Sequence, residues 1–369
     1  MRRWIGTLLA VVLVAVPLLA LYKPTDEKRT EGKSKDRAKQ FQSIQADYQK
    51  AVPEVQKAFN EAKSNKEREA ILEKLNNDFG PRILKLVEED PKDKLSLEML
   101  VFAIRALPNV DSKAFDLLAD NWAKDDSVNT KYLCQFLLAQ PQPRAKRLLQ
   151  TVLDENNNKD LQGYACFALA RMAAEQASEG NKKAGEEAEK YYERMSKDFA
   201  DVKLGEKTTL GEQAKGPLFE IRHLSVGKTP PNVESRNLDG EKVQLKDYKG
   251  KVVMLDMWAT WCGPCKSMIP HEREMATKHK DDPFALISVS GDEEKSTLKK
   301  FLEKTKMPWV HWWDGPEGKI IKGWNIQAFP TIYILDAEGV IRYKFVGVPP
   351  NKELDGAVDK LLAEAKGKQ

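Results

Sequence analysis

From Asp36 to about Asp201, apolar residues recur three and four positions apart, as in "FQSIQADYQKAVPEVQKAF" and "REAILEKL", and β-branched runs are absent. That spacing predicts amphipathic helices. Pro81, Pro91, Pro108, Pro141 and Pro143 fall between the periodic blocks and read as breaks between helices. Within this region "SLEMLVFAIRAL" (96–107), "TKYLCQFLLAQP" (130–141) and "QGYACFALARMA" (162–173) begin 34 and 32 residues apart. Each precedes a second helical block: "SKAFDLLADNWAKD", "PRAKRLLQTVLDEN" and "GEEAEKYYERMSKDF". A helix pair at this period has the size of a tetratricopeptide unit, although the consensus of that repeat is mostly missing. The pattern predicts a TPR-like α-helical domain over 41–203. It offers either a concave platform for a protein partner or a plain spacer.

After a Gly- and Lys-rich stretch, read as a linker over 204–225, the period changes. "KVVMLDMWA" (251–259), "FALISVS" (284–290), "TIYILD" (331–336) and "VIRYKFVGV" (340–348) read as strands. Helices are expected after Cys265, over 296–305 and from about Lys352 to Ala365, so 226–369 reads as an α/β sandwich with a mixed sheet. The chain is therefore multidomain, all-α first and α/β second. Its 369 residues allow two or three cores.

Residues 4–22 carry no charge and follow Arg2 and Arg3, the pattern of a signal peptide or signal anchor (1–22). The run of 19 could also span a bilayer, which takes about 20 residues. Cleavage and retention both stay open; acylation of a lipoprotein cysteine is excluded, since the segment has none. A charged linker is expected over 23–40, with seven Lys/Arg and four Asp/Glu in residues 23–39. The segment places the protein outside the cytoplasmic membrane, exported across it or anchored to it. Elsewhere charges are interspersed and the formal net charge is +4, with no basic stretch interleaved by aromatics, so nucleic acid is not an expected partner.

Four cysteines are too few for a disulfide scaffold. Cys134 and Cys166 occupy matching repeat positions, roughly 9–10 Å apart in stacked helix pairs, whereas a disulfide needs Cα atoms within about 7 Å. Burial as small apolar groups is their expected fate. Cys262 and Cys265 lie in "WATWCGPCKSMIP", where a helix follows a buried strand. A helix N-terminus presents free N–H groups and partial positive charge, which stabilise a thiolate on the first cysteine. Cys262 is therefore the expected nucleophile, and Cys265, one turn inside the helix, resolves the mixed disulfide. Zinc would need two more ligands at suitable spacing, and none is found, so neither metal nor cofactor is expected. A purely structural disulfide would close too small a loop to stabilise much. His271, His279 and His311 sit at no ligand spacing and read as surface or packing residues. "MPWVHWWDG" reads as core or lid ahead of a partner surface.

"WCGPCKSMIP" followed by "AFPTIYILDAEGVIRYKFVG" resembles the thioredoxin fold. The preceding "VGKTPPNVESRNLDGEKVQLKDYKGKVVMLDMW" is similar to the TlpA/ResA-like branch of extracytoplasmic disulfide oxidoreductases. The resemblance covers about 226–369; more loosely, the whole chain resembles TlpA-like proteins with a helical domain behind the export signal. It implies that Cys262 and Cys265 form the redox-active disulfide and that Trp261 shields it. It further implies that Pro270 kinks the active-site helix and that Pro330 is a cis-proline. Trp261, Gly263, Pro264, Phe329 and Pro330 then meet the substrate. Asp256 falls where thioredoxins bury a carboxylate that takes the proton of the second cysteine. Two departures stand out: "FALISVS" offers no lysine to that carboxylate, and Met268 replaces a glutamate common three residues after the second cysteine. The cytochrome c maturation role tied to that glutamate is therefore not implied.

The function expected is thiol–disulfide exchange with protein substrates, in the reducing direction, fed by a membrane thiol donor. The alternatives are an oxidase or isomerase using the same cysteines, or a scaffold whose second domain only docks partners.

Overall fold

The computed structural model describes residues 33–367 apart from 141 and 179. These separate into two compact units, dividing between Gly211 and Glu212. The apolar run at 4–22 lies outside the described residues. No described helix is long and apolar enough to cross a membrane.

The first unit is helical: α1 (Lys33–Glu61), α2 (Asn65–Glu89), α3 (Lys94–Ala106), α4 (Ser112–Trp122), α5 (Val128–Ala139), α6 (Lys146–Glu155), α7 (Lys159–Ser178) and α8 (Lys182–Lys197). The three repeated blocks fall on α3 and α4, α5 and α6, and α7 and α8. Side chains of later elements donate to main-chain carbonyls about one pair back: Trp122 to Pro91, Arg144 to Val110, Asn156 to Ala123 and Arg171 to Leu138, separations of 31 to 34 residues. The bonds to Ala123 and Leu138 satisfy carbonyls at helix ends, which lack partners within their own helix.

Three expectations are corrected here. The charged linker ends early, because α1 begins at Lys33. Arg37, counted in that linker, is 5% exposed and donates to the Leu86 carbonyl, the Asp93 carboxylate and the Ser96 hydroxyl. A charge periodicity cannot distinguish a solvated arginine from one whose donors are all taken. Pro81 breaks nothing and lies inside α2; Gly80 before it has no Cβ to clash with the proline ring, which is what normally drives the preceding residue out of helix. The 204–225 linker instead holds a two-stranded ribbon, β1 (Lys203–Leu204) with β2 (Thr208–Thr209), and helix α9 (Leu210–His223). Leu210, Ala214 and Leu218 are buried at helical spacing in α9, a stripe that its glycines and lysines obscure in composition.

The second unit contains β3 (Glu234–Asn237), β4 (Lys242–Gln244), β5 (Val252–Trp258), α10 (Gly263–Lys278), β6 (Phe284–Ser290), α11 (Lys295–Lys304), β7 (Val310–Trp313), β8 (Thr331–Leu335), β9 (Ile341–Val346) and α12 (Asn351–Lys366). The seven strands form one mixed sheet in the order β4-β3-β7-β6-β5-β8-β9. Strand β5 sits inside it, parallel to β6 and antiparallel to β8, and every one of its residues is buried. A strand covered on both faces reads as a continuous apolar run, and Asp256 alone interrupts this one.

The β5 side chains alternate between two cores. Val253, Leu255 and Met257 pack with Trp312, Trp324 and Tyr333 on one face. Val252 and Met254 pack with Met268 and Met275 of α10 and Leu354 and Val358 of α12 on the other. Trp312 is fully buried, so the aromatic run is core. The polar strands β3 and β4 and the short β7 carried too little alternation to be read from sequence.

Candidate active site

The chain leaves β5 at Trp258 and enters α10 through Ala259, Thr260 and Trp261. Cys262 is the N-cap of α10, and its Sγ accepts the Cys265 backbone N–H at 3.1 Å. The N-cap sulfur thus lies where the free N–H groups and the helix dipole concentrate positive potential. Pro264 occupies the first turn, where its missing N–H costs nothing. Cys262 and Cys265 are joined as a disulfide with Cα atoms 5.3 Å apart. Trp261, 68% exposed, stands outside the pair, and Gly263 and Pro264 are exposed beside it. Phe329 packs against the cluster formed by Trp258, both cysteines, Ile269 and Leu298, with its ring 5.7 Å from that of Trp261. The Phe329–Pro330 peptide bond is cis, and the Pro330 carbonyl accepts the Gly347 N–H at 2.8 Å.

Two neighbours that sequence reading missed hold this surface in place. Asp292 is 1% exposed and accepts from the Thr260 N–H (3.1 Å), the Thr260 hydroxyl (2.7 Å) and the Ser290 hydroxyl (2.7 Å). It ties the turn bearing Trp261 to the end of β6. Gly291 leaves room for Phe329: a Cβ there would lie 2.6 Å from the ring tip. The only signal for either was the "SGD" at the end of β6, which looks like any turn. Asp292→Asn keeps the shape but turns an amide N–H₂ toward donors. It is expected to cost about 1–3 kcal/mol of stability in denaturant titration and to lower the rate of attack on a disulfide substrate. An unchanged midpoint and rate would contradict this role.

Asp256 is 3% exposed and lies between Met254 and Trp258 on the face covered by α10. Ser288, whose hydroxyl accepts the Trp309 indole N–H at 2.8 Å, lies opposite it on β6, while the Asp256 Oδ1 has no partner. Burial pushes its carboxyl up to about 7, and the Ser288 bond offsets this in part. Glu272 of α10, not singled out in the sequence, is 1% exposed with Oε1 unpartnered. Burial first, then the charge of Asp256, raises its carboxyl well above the usual range. Its signal was the helical spacing of Cys265, Met268 and Glu272, hidden in the polar run "PHERE".

The other cysteines are free and buried, and burial pushes both thiols up to about 12. His271 lies 3.0 Å from Asp355 and His279 lies 2.8 Å from Asp282, both packing interactions.

This fold, with a bonded Cys-x-x-Cys capping its first covering helix, defines a thioredoxin-like dithiol–disulfide enzyme. The model of the AhpC/TSA family matches residues 226–344. Thiol-disulfide oxidoreductase ResA of Bacillus cereus is 31% identical over 147 residues, 40% of this chain and 84% of that protein. Thioredoxin-like protein YneN of Bacillus subtilis is 33% identical over 139 residues, 37% of this chain and 80% of that protein. Among solved structures, a putative thiol:disulfide interchange protein DsbE from Chlorobium tepidum is 28% identical, covering 37% of this chain and 98% of its own, with a TM-score of 0.36. Through its second unit, the chain belongs to the ResA-like thiol–disulfide oxidoreductases.

Proposed function

We propose that the protein reduces disulfides of protein substrates outside the cytoplasmic membrane, with Cys262 as attacking thiolate and Cys265 as resolving thiol. The observation that carries the assignment is the N-cap position of Cys262, whose sulfur accepts the Cys265 N–H while Cys265 lies behind it. Cys262 attacks a substrate sulfur and forms a mixed disulfide. Cys265 then passes its proton to Asp256, attacks Cys262 and releases the substrate as a thiol. Trp261, Gly263, Pro264, Phe329 and Pro330 form the surface that receives the substrate, with Phe329 offering main-chain groups.

Gly-Pro between the cysteines is the pairing of thioredoxin, whose potential lies near about −270 mV, against about −120 mV for the strong oxidant type. This favours the reducing direction, with the oxidised pair recharged by a membrane thiol donor. The apolar segment at 4–22 supports export or anchoring, and the spacing of the helical blocks supports a TPR-like platform for a partner. Equilibration against a glutathione or dithiothreitol buffer is expected to return a potential near that of thioredoxin. A value above about −150 mV would overturn the reducing direction.

A further inference from the structure

Asp256 belongs to a row of side chains running across the sheet beneath α10. The strand register places it opposite Ser288 of β6 and Ile332 of β8, with His311 of β7 opposite Ser288. Helix α10 turns Cys265, Met268, Ile269, Glu272 and Met275 inward over this row. Glu272 is thus on the same helix face as Cys265, two turns and about 10 Å further along.

No ion pair reaches Asp256 or Glu272 among the described residues. His311 supplies no charge, since burial lowers its pKa, and its Nε2 lies 3.0 Å from the Met307 carbonyl oxygen. From α12 the covering side chains include Leu354 and Val358, while its Asp355 faces His271. Two buried carboxyl groups, each with one oxygen unpartnered, therefore share a region without a cation among the described residues. Like charges so placed cannot both ionise readily, and such a pair titrates in two separated steps.

We propose that Glu272 and Asp256 together hold one proton at neutral pH, and that Glu272 is the positioning residue that lets this pair both accept and return the proton of Cys265. The inference rests on the reading of Cys265 as the resolving thiol. A single carboxyl is either acceptor or donor, whereas a pair with one proton offers both. In resolution the Cys265 thiol gives its proton to the pair, and its thiolate bonds to the Cys262 sulfur. The substrate thiolate leaves with the electron pair of the broken bond and is protonated by solvent. When a dithiol donor reopens the Cys262–Cys265 bond, Cys265 leaves as thiolate and takes the proton back.

The test measures both half-reactions in the full-length protein across pH, using a fluorescent peptide disulfide as oxidant and dithiothreitol as reductant. In Glu272→Gln only Asp256 remains, and above about pH 7 it is ionised, without a proton to return. Relative to wild type, reopening by dithiothreitol is expected to fall about tenfold by about pH 8.5 and to stay near parity at about pH 6.5. Resolution should remain within about twofold throughout, and Glu272→Gln should add nothing to Asp256→Asn. Glu272→Asp, which keeps a second carboxyl, should restore part of the alkaline rate. Ratios independent of pH, whether at parity or uniformly lowered, would overturn the proposal and leave Glu272 a packing residue. Infrared spectroscopy of the wild type provides a readout needing no variant: the carbonyl band of a protonated carboxyl must be present at about pH 7.5, and its absence also overturns the proposal. Trapping by Cys265→Ser separates the two ideas. Failure to trap removes the resolving role itself, whereas trapping with an unchanged pH profile removes only the role of Glu272.

Discussion

Cys265→Ser is expected to accumulate as a mixed disulfide with its substrate through Cys262, and its turnover should fall at least about a thousandfold. Cys262 caps α10 with its sulfur on the Cys265 N–H, so a thiolate there is stabilised by the helix terminus. Only a thiol one turn inside the helix is placed to displace the bound substrate, and serine cannot do so. Cys262→Ser should trap far less. Cys265 lies one turn inside α10, away from the N-cap position that Cys262 holds. Mass spectrometry of the adducts identifies the substrates and the order of attack together. Equal trapping by the two variants would remove the assignment of roles.

Asp256→Asn is expected to stabilise the fold while slowing resolution. The carboxyl rises from 3.8 to about 7 on folding, so between those values the folded protein keeps a proton that the unfolded chain has released. The unfolded state then binds fewer protons, and stability falls as pH rises through this window. Above about pH 7 both states are ionised and the cost is constant, on the order of 4 kcal/mol. Asparagine removes it. The variant should therefore unfold at higher denaturant than wild type at about pH 8, and the difference should vanish near about pH 4. The first attack by Cys262 should be nearly unaffected, because Asp256 serves Cys265 alone. A variant less stable than wild type at about pH 8 would contradict the burial of an uncompensated charge.

The cysteine pair was legible because local sequence encodes it. An apolar run ending in Trp-Cys-Gly-Pro-Cys specifies a buried strand followed by a helix start, and a helix start determines which sulfur meets the free N–H groups. The periods of the first unit likewise announced its helices, since one turn of helix repeats every 3.6 residues whatever surrounds it.

Long-range effects were not legible. Arg37 looked like part of a charged tether because its partners lie 49 to 59 residues away. The stripe of α9 was lost among lysines and glycines, and the short strands β3 and β4 are defined only by what pairs with them. Asp292 and Gly291 matter through Thr260 and Phe329, which reach them only when β6 lies beside β5. Glu272 is the sharpest case. In the chain it is one acid in a polar run; in the fold, α10 turns it inward over Asp256, where burial and a second carboxyl both oppose its ionisation. The sequence by itself determined the cysteine pair at the start of α10, because its two members lie within one helical turn. Tertiary structure alone decided the setting of the carboxyls beneath α10, because a carboxyl's affinity for a proton depends on burial and on charges brought near it by other elements.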